Sequence, residues 1–545
     1  MTLTTKRSSK EVKKSLMSTR VQLYDTTLRD GTQRRGISLS VEDKLQIAKL
    51  LDEFGFDYIE GGWPASNPKD AAFFQSAGSV VKHAKITAFS STRRRGVFVD
   101  SDANLRAILE AECPVATLFG KSSIFQATKI LGLTPDENLT LIEESVRYLV
   151  DHGLEVIFDA EHFFDGCQED IAYALKVLKS AEDGGANWIV LCDTNGGSLP
   201  NQIEAYIKQA QSSIQTPLGI HAHNDGGLAV ANSLIAVDAG ALMVQGTING
   251  YGERCGNANL CTIWPNLVYK MHKSGGNEDM IQELTRLSRT VAEVANLIPD
   301  DSAPFVGDNA FTHKAGVHVG AVRKYAEAYE HIRPEQVGQT RRILVSELAG
   351  RSNLLYHFQN LDPSSETVKE LVQTVKRMEA RGYQYEDAPS SMKLLVERSL
   401  GNVPDYFEVD RFHASVTHDQ RTIAEATVRI IVGDSHFVEV GEGDGPVHAL
   451  DVALRRALTR IYPVIAGLRL QDYKVRVLDG RDGTRSQVRV WILSEFRDEP
   501  VRTVGVSRNI LEASWLALLD SVNYTLWASH TVPQNLTGSQ AQPLS

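Results

Sequence analysis

The sequence predicts an α/β protein whose first half is a TIM (β/α)8 barrel. From Val21 to about Val268, short β-branched runs alternate with amphipathic stretches of helical length. About eight such units over roughly 250 residues are typical of a TIM barrel. Charged and polar residues follow the predicted strands, where barrel enzymes place their active sites. A doubly wound open sheet is the alternative, but no Gly-x-Gly-x-x-Gly follows the first strand.

The predicted strands are short apolar runs bounded by turn residues, and helices are predicted between them. Ser40 is a typical N-cap with Asp43 three residues later, so a helix is predicted to begin there. Pro135 suits the first turn of another helix. The strands are placed at Val21–Asp25, Tyr58–Glu60, Ile86–Phe89, Val115–Phe119, Val156–Phe158, Ile189–Leu191, Leu218–His223 and Met243–Gln245.

The periodicity changes twice after the barrel. Helical spacing dominates next, with helices predicted at Ile281–Ala295 and Ser365–Glu379. Strand spacing then returns in a weak internal duplication of two strands and a helix, which predicts an α+β domain of a regulatory or dimer-forming type. The predicted domains are a basic, disordered N-terminal arm (1–20), a catalytic barrel (21–275), a mostly helical linker region (276–400), the C-terminal domain (401–530) and a flexible tail (531–545).

Composition indicates a cytoplasmic globular protein. The chain has 545 residues and a net charge of −11, so nucleic acid is not an expected partner. No apolar run approaches the roughly 20 residues that span a bilayer. The 5 cysteines are odd in number and include no Cys-x-x-Cys, so the sequence implies neither a disulfide framework nor a thiolate zinc knuckle, and a reducing compartment fits best. The basic, acid-poor first twenty residues leave an organelle transit peptide as the alternative to a disordered arm.

His221 and His223 at the end of the seventh predicted strand are the most informative pair. Residues two apart on a strand project from one face, so both imidazoles can bind one divalent ion. Two solvent-facing histidines are the alternative, but the acidic segment at 25–31 and the polar segment at 249–257 favour a metal site. Imidazoles with a carboxylate and an amide oxygen suit Mn²⁺, Mg²⁺, Co²⁺ or Zn²⁺. Such an ion could bind a 2-oxo acid through two oxygens and polarise its carbonyl.

Charged side chains after other strands have two interpretations each. Arg29, in the turn that ends the first strand, either stabilises a developing oxyanion or forms a salt bridge across the barrel mouth. Glu161, between apolar neighbours, is an acid/base or a partner of the metal site, or else part of a structural ion pair. Arg93 and Arg94 either attract the phosphates of CoA or lie solvated in a loop. His318 lies in a polar loop and reaches the mouth only if the linker folds back over it.

Three segments together resemble a known family. DTTLRDGTQ at 25–33, HAHND at 221–225 and NGYGERCGN at 249–257 resemble the acetyl-CoA-dependent Claisen condensing enzymes, which include 2-isopropylmalate, homocitrate and citramalate synthases. AGVH at 315–318 resembles the family's linker, and the last domain resembles its dimeric regulatory domain. The resemblance therefore covers Val21 to Tyr524.

The resemblance implies a role for each candidate residue. Val319 and Gly320 depart from the pattern, because many relatives carry a polar or acidic residue after the linker histidine. The implied roles are Asp30, His221, His223 and Asn257 as metal ligands, Arg29 as stabiliser of the enolate, Glu161 as an acid/base or substrate-orienting group, Gln33 and Thr194 as substrate contacts, His318 as a base from the linker, and Tyr329 as a tyrosine that often follows it.

Within the family, EGGWPASNPKD at 60–70 resembles the citramalate synthase branch, and Trp63 is expected to narrow the pocket in favour of pyruvate. The resemblance thus implies condensation of acetyl-CoA with pyruvate, and thioester hydrolysis to citramalate and CoA, on a route towards isoleucine. It also implies a homodimer with isoleucine or leucine as an effector. The alternatives are the same reaction on another 2-oxo acid, a carbon–carbon lyase of the hydroxymethylglutaryl-CoA lyase type, and a non-catalytic amino-acid sensor.

Overall fold

The computed structural model describes residues 19–314, 316–322, 324–343, 365–418, 422–478 and 485–534. These residues form two compact units. The first unit runs up to Phe311 and includes Glu330–Arg341, and the second comprises Thr312–Tyr329 and the chain from Arg342 onwards. The predicted arm (1–20) and tail (531–545) lie largely outside the described residues.

The first unit is built on a closed barrel of eight parallel strands in chain order. The first strand closes the barrel by pairing with the eighth, with Gln22 opposite Met243. The predicted TIM barrel is confirmed, and the open-sheet alternative is excluded. The strands are β1 Gln22–Asp25, β2 Tyr58–Gly62, β3 Lys85–Ser91, β4 Val115–Lys121, β5 Glu155–Glu161, β6 Trp188–Asp193, β7 Leu218–Ala222 and β8 Met243–Gly246.

Helices surround the barrel, and two of them begin where the sequence predicts. The Ser40 side chain accepts from the backbone N–H of Asp43 in a capping box, and Thr134 does the same with Glu137. No helix in the described residues is long and apolar enough to cross a membrane. The helices of this unit are α1 Val41–Glu53, α2 Pro68–Val80, α3 Ala103–Glu110, α4 Pro135–Asp151, α5 Phe163–Asp183, α6 Pro200–Ser213, α7 Ala229–Asp238, α8 Leu260–Tyr269 and α9 Leu284–Val294.

Alternation along the strands places the candidate site. Tyr58, Ile157 and Met243 belong to a buried cluster that also contains Val115 and Val190. Because side chains two apart on a strand share a face, the residues that follow these by two positions also lie on the inner face, nearer the carboxyl end of the barrel. Polar side chains at those positions therefore converge at one end of the barrel.

The second unit contains two three-stranded antiparallel sheets, each followed by a helix. The predicted duplication is present, but each half has three strands instead of two. Most side chains of the first strand in each sheet are exposed or half-buried, so no buried alternation marks these strands in the sequence. The elements are β9 Thr312–His313, α10 Gly316–Val322, β10 Arg342–Ile343, α11 Glu366–Ala380, α12 Pro389–Ser399, β11 Glu408–His418, β12 Thr422–Val432, β13 Ser435–Gly443, α13 Pro446–Thr459, β14 Arg469–Val477, β15 Val488–Phe496, β16 Glu499–Ser507 and α14 Ile510–Ala528.

Candidate active site

The carboxyl ends of the barrel strands surround a cavity of about 230 Å³. Most of the residues predicted for the site line this cavity, together with several that were not predicted. The predicted ones are Arg29, Asp30, Gln33, Trp63, Glu161, Thr194, His221 and His223, and the others are Phe89, Phe119, Asp159, Cys192, Glu253 and Arg254.

The turn after β1 brings Arg29 and Asp30 to the cavity. The carbonyl of Thr26 accepts from the backbone N–H groups of Arg29, at 3.2 Å, and of Gly31, at 3.0 Å. A regular strand would point two adjacent side chains to opposite faces. This tight turn instead lets both side chains reach the same site.

A buried cluster at the cavity has the donor atoms of a metal site. The Nε2 atoms of His221 and His223 lie 3.3 Å apart, and Asp30 Oδ2 lies 3.9 Å from His223 Nε2. One ligand atom from each of these three residues lies within 4.8 Å of the others. Two ring nitrogens that face each other at this distance suit a cation between them when both are unprotonated.

Asn257 completes the cluster. Its Nδ2 donates to Asp30 Oδ1 at 2.7 Å, and its backbone pairs with that of His223 in an isolated bridge. Its Oδ1 atom is buried without a hydrogen-bond partner among the described residues. Since an unpartnered buried carbonyl is costly, this oxygen also fits a metal ligand. The donor set present therefore fits a divalent cation.

The protonation states of the cluster also suit a cation. Burial, together with the charges of His221 and other cationic neighbours, lowers the pKa of His223 to about 4. Burial lowers the pKa of His221 as well. Burial alone would raise the pKa of Asp30, but Arg29 and the two histidines outweigh it and lower that pKa to about 2. At neutral pH the cluster thus offers neutral imidazoles and a carboxylate, the forms that bind metals.

Arg29 is held in place from three sides. Its Nε donates to Glu60 Oε2 at 2.6 Å, and its Nη1 donates to Asp30 Oδ2 at 2.9 Å. Its guanidinium carbon lies 3.8 Å from the centroid of the Phe89 ring. The side chain remains 12% exposed at the cavity. The structure therefore contains the salt bridge that one interpretation of Arg29 predicts. The exposed part of the side chain can still stabilise an oxyanion, as the other interpretation requires.

Glu161 and Thr194 lie at the ends of the neighbouring strands β5 and β6. Glu161 forms an ion pair with Lys121, the residue opposite it on β4. Thr194 Oγ1 accepts from the backbone N–H of His162 at 2.8 Å. His162 has a φ of 59°, a left-handed conformation that non-glycine residues adopt mainly where structure demands it. With its oxygen accepting, the Thr194 hydroxyl can donate its own proton elsewhere.

Aromatic rings form one wall of the cavity. The Trp63 ring meets Phe89 and Phe119 edge-on, at centroid distances of 6.0 and 5.8 Å. The two phenylalanines stack at 5.2 Å. The indole N–H of Trp63 is buried and has no hydrogen-bond partner in the described part of the chain. This packing limits the room beside the metal cluster.

Five predicted residues do not line this cavity: Asn257, which contacts Asp30 in the metal cluster, and His318, Tyr329, Arg93 and Arg94. His318 and Tyr329 belong to the second unit, where their rings stack at 4.1 Å. Arg93 Nε donates to Glu144 at 2.8 Å, and Arg93 lines a different cavity. Arg94 pairs with Asp102 at 3.3 Å. The roles of these residues stay predictions.

Three functional candidates were missed by the sequence analysis: Glu60, Asp159 and Gln245. All three are buried. Glu60 accepts from Tyr24 at 2.7 Å as well as from Arg29, and Gln245 contacts both His221 and Asp159. Burial raises the pKa of Asp159 well above its usual value. Each follows an inward apolar residue by two positions, and that spacing was the signal available in the sequence.

Comparisons with known proteins agree with this architecture. Residues 20–291 match the HMGL-like family, residues 305–383 the homocitrate synthase post-HMGL domain-like family, and residues 386–526 the LeuA allosteric (dimerisation) domain. These matches run through both units.

Relatives match over nearly the whole chain. The (R)-citramalate synthase of Geobacter sulfurreducens is 49% identical over 520 residues, covering 94% of this chain and 98% of that protein. The (R)-citramalate synthase of Aquifex aeolicus is 49% identical over 519 residues, with coverages of 94% and 98%. A probable 2-isopropylmalate synthase of Methanopyrus kandleri is 33% identical over 513 residues, with coverages of 93% and 98%. The resemblance seen in the sequence is confirmed, and the chain belongs to the (R)-citramalate synthase family.

Proposed function

We propose that this chain condenses acetyl-CoA with pyruvate and hydrolyses the resulting thioester, giving citramalate and CoA. The observation that carries the proposal is the convergence of Asp30, His221 and His223 beside Arg29 in a cavity of about 230 Å³, with the unpartnered Asn257 oxygen next to Asp30. The names of the relatives with 49% identity support the choice of reaction.

The cluster is proposed to hold Mn²⁺, Mg²⁺, Co²⁺ or Zn²⁺. Bound there, a divalent ion supplies Lewis-acid polarisation of the ketone of the oxo acid. Thr194 is proposed to donate a hydrogen bond to the oxo acid, since its oxygen already accepts from His162. Gln33, exposed at the rim of the cavity, is the second proposed substrate contact.

Arg29 is proposed to stabilise the enolate. Removal of a methyl proton from acetyl-CoA leaves negative charge on the thioester oxygen, which a fixed guanidinium can stabilise. The enolate carbon then attacks C2 of pyruvate, and the new alkoxide takes up a proton. Water cleaves the thioester to release CoA. Because Glu60, Asp30 and Phe89 hold Arg29 in place, little reorganisation is needed as this charge develops.

His318 is the proposed base, and Glu161 is the proposed acid/base or substrate-orienting group. The family's linker motif and the stacked Tyr329 ring support the first assignment. The position of Glu161 at the cavity, beside Lys121, supports the second. Binding of CoA phosphates by Arg93 and Arg94 is the least supported part of the proposal, because both form ion pairs with carboxylates.

Release of free thiol tests the reaction. The purified chain with Mn²⁺ should release CoA from acetyl-CoA when pyruvate is added, and the product should co-elute with citramalate. If none of pyruvate, 2-oxoisovalerate and 2-oxoglutarate stimulates release, the proposal fails. Cleavage of hydroxymethylglutaryl-CoA without condensation would support the lyase alternative instead, and a non-catalytic sensor would do neither.

Trp63 is proposed to favour pyruvate over longer oxo acids. Its ring and those of Phe89 and Phe119 close one wall of the cavity. We expect Trp63→Ala to improve kcat/KM for 2-oxoisovalerate relative to pyruvate by about 10- to 100-fold, the range for a pocket of changed size. An unchanged ratio would remove Trp63 from the specificity determinants.

We propose that the second unit makes a homodimer and binds isoleucine or leucine as an inhibitor. The match of residues 386–526 to a domain described as allosteric and dimerising supports this. Light scattering of the full chain should give twice the mass of one chain, and isoleucine or leucine should slow CoA release. A monomer insensitive to both amino acids would overturn this part. A place in isoleucine biosynthesis and a cytoplasmic location complete the proposal, and the five free cysteines support a reducing compartment.

A further inference from the structure

A hydrogen-bond chain leads from His221 into the barrel interior. The Nδ1 atom of His221 lies 2.9 Å from Gln245 Oε1. Gln245 Nε2 donates to Asp159 Oδ1, also at 2.9 Å. His221 and Asp159 are 5% and 4% exposed, and Gln245 is fully buried. Both contacts are therefore largely shielded from bulk water.

The polarity of this chain decides where the proton of His221 lies. A carboxamide has one donating end and one accepting end, and Asp159 accepts from the donating end. A carboxyl oxygen can accept with or without its proton, and with Asp159 Oδ1 accepting from Gln245 Nε2 the carbonyl end of Gln245 faces His221, which satisfies it by donating from Nδ1–H. The Nε2 atom of His221 is left with a lone pair, and this is the atom that faces His223 at 3.3 Å.

The two histidines differ in this respect. His221 and Gln245 lie opposite each other in the register of β7 and β8, so the sheet itself holds their contact. His223 Nδ1 is buried and has no hydrogen-bond partner among the described residues. Of the two rings, only that of His221 therefore has a hydrogen-bond partner in the described residues that can fix its orientation from outside the metal cluster. Outer partners of metal-bound histidines commonly set both tautomer and ring orientation.

We infer that Gln245 is a positioning residue of the metal site: its carbonyl holds His221 as the Nδ1–H tautomer, and Asp159 orients the Gln245 amide for this task. The inference rests on the metal site of the proposed function. It extends that site across the barrel, from β7 through β8 to β5.

Metal affinity tests the inference without any assay of activity. Gln245→Met keeps the length of the side chain but replaces the carbonyl oxygen that accepts from His221 with a weakly accepting thioether sulfur. We expect this variant to bind Co²⁺ about 10- to 100-fold more weakly in calorimetry, with an altered visible absorption spectrum of the bound Co²⁺. Thr87→Val is the matched control, because Thr87 is a buried inner polar residue whose hydroxyl contacts Thr117 and not the metal cluster. Its Co²⁺ affinity should equal that of the wild type.

A double variant separates hydrogen bonding from packing. Gln245→Glu combined with Asp159→Asn reverses the second contact but keeps an acceptor facing His221, so we expect Co²⁺ affinity within a few-fold of the wild type. Gln245→Glu alone puts two carboxyl groups together and should bind more weakly than the double variant. Equal Co²⁺ affinity in Gln245→Met and wild type would overturn the inference alone. If Gln245→Met does not fold, failure of the double variant to recover Co²⁺ binding has the same meaning. A folded wild type that binds no Co²⁺ would overturn the proposed metal site itself.

Discussion

The inward-facing side chains of the barrel change from apolar to polar within two residues along its strands. At one level the inward side chains form a closed cluster that includes Ile157 and Met243. Two residues further along the same strands, Asp159 and Gln245 carry polar groups towards the candidate site. The same alternation of side chains thus builds the apolar cluster at one level and the candidate site at the next. The difference shows that distance from the carboxyl end, rather than burial, separates the two roles.

The polar level is not built for stability. Arg29 forms short ion pairs with both Asp30 and Glu60. Asn257 Oδ1, by contrast, is buried without a partner in the described residues, a state that costs about 1–3 kcal/mol. A fold selected only for stability would not keep such an atom. Variants of the polar residues at the site should therefore lose function with little loss of stability. Variants of the apolar cluster should lose stability with little loss of function.

The largest effect is expected at the metal cluster. Asp30→Ala removes one proposed ligand, so we expect loss of tight Co²⁺ binding and a fall in CoA release of at least about 100-fold. Far-UV circular dichroism should stay close to that of the wild type. Asp136→Ala, at an exposed position in the first turn of α4, is the control and should behave as wild type. Full activity in Asp30→Ala would remove this residue from the ligand set.

A second variant compares two buried carboxyl groups, Asp25 at the end of β1 and Asp30 in the turn that follows it. Burial, with no ion pair recorded in the described residues, raises the pKa of Asp25 from 3.8 to about 7, whereas that of Asp30 falls to about 2. Folded Asp25 keeps its proton where the unfolded chain has lost it, so its contribution to stability falls as pH rises through this window. The loss is about 4 kcal/mol at most.

Asp25→Asn should lack this loss. We expect the free energy of unfolding in urea to fall less steeply between pH 4.5 and 8 in the variant than in the wild type. Identical pH profiles for the two proteins would show that the carboxyl group does not hold its proton in the folded barrel.

Arg29→Lys tests whether the site needs the two-point geometry of a guanidinium or only a positive charge. A lysine cannot contact Glu60 and Asp30 with the same two-point geometry. We expect kcat to fall about 100-fold, as for loss of one oxyanion contact, while Co²⁺ affinity changes little. Steady-state kinetics and calorimetry give the two values. A change in KM alone would place Arg29 in ground-state binding.

The smallest effect is expected at the apolar level. Ile157→Val removes one methylene group from the closed cluster, two residues before Asp159. We expect a loss of about 0.5–1.5 kcal/mol in the free energy of unfolding, with CoA release and Co²⁺ affinity unchanged. If metal affinity fell with stability in this variant, the two levels would not be separable.

The sequence predicted the local part of this organisation. All eight barrel strands were placed within a few residues, because buried parallel strands appear as short apolar runs between turn signals. His221 and His223 were paired from strand geometry, and the polar segments at 25–31 and 249–257 favoured a metal site. The first strand of each C-terminal sheet, β11 and β14, was missed, because its side chains are largely exposed or half-buried and leave no periodic apolar pattern.

By itself the sequence determined the barrel, the turn that carries Arg29 and Asp30, and the pair of histidines, since each depends on neighbours within a few positions. Only the tertiary structure decided that Glu60 holds Arg29, that Lys121 pairs with Glu161, and that Gln245 lies between His221 and Asp159. Those contacts join strands far apart in the chain. Their geometry depends on how the closed sheet staggers its strands, a property that no local pattern of residues records.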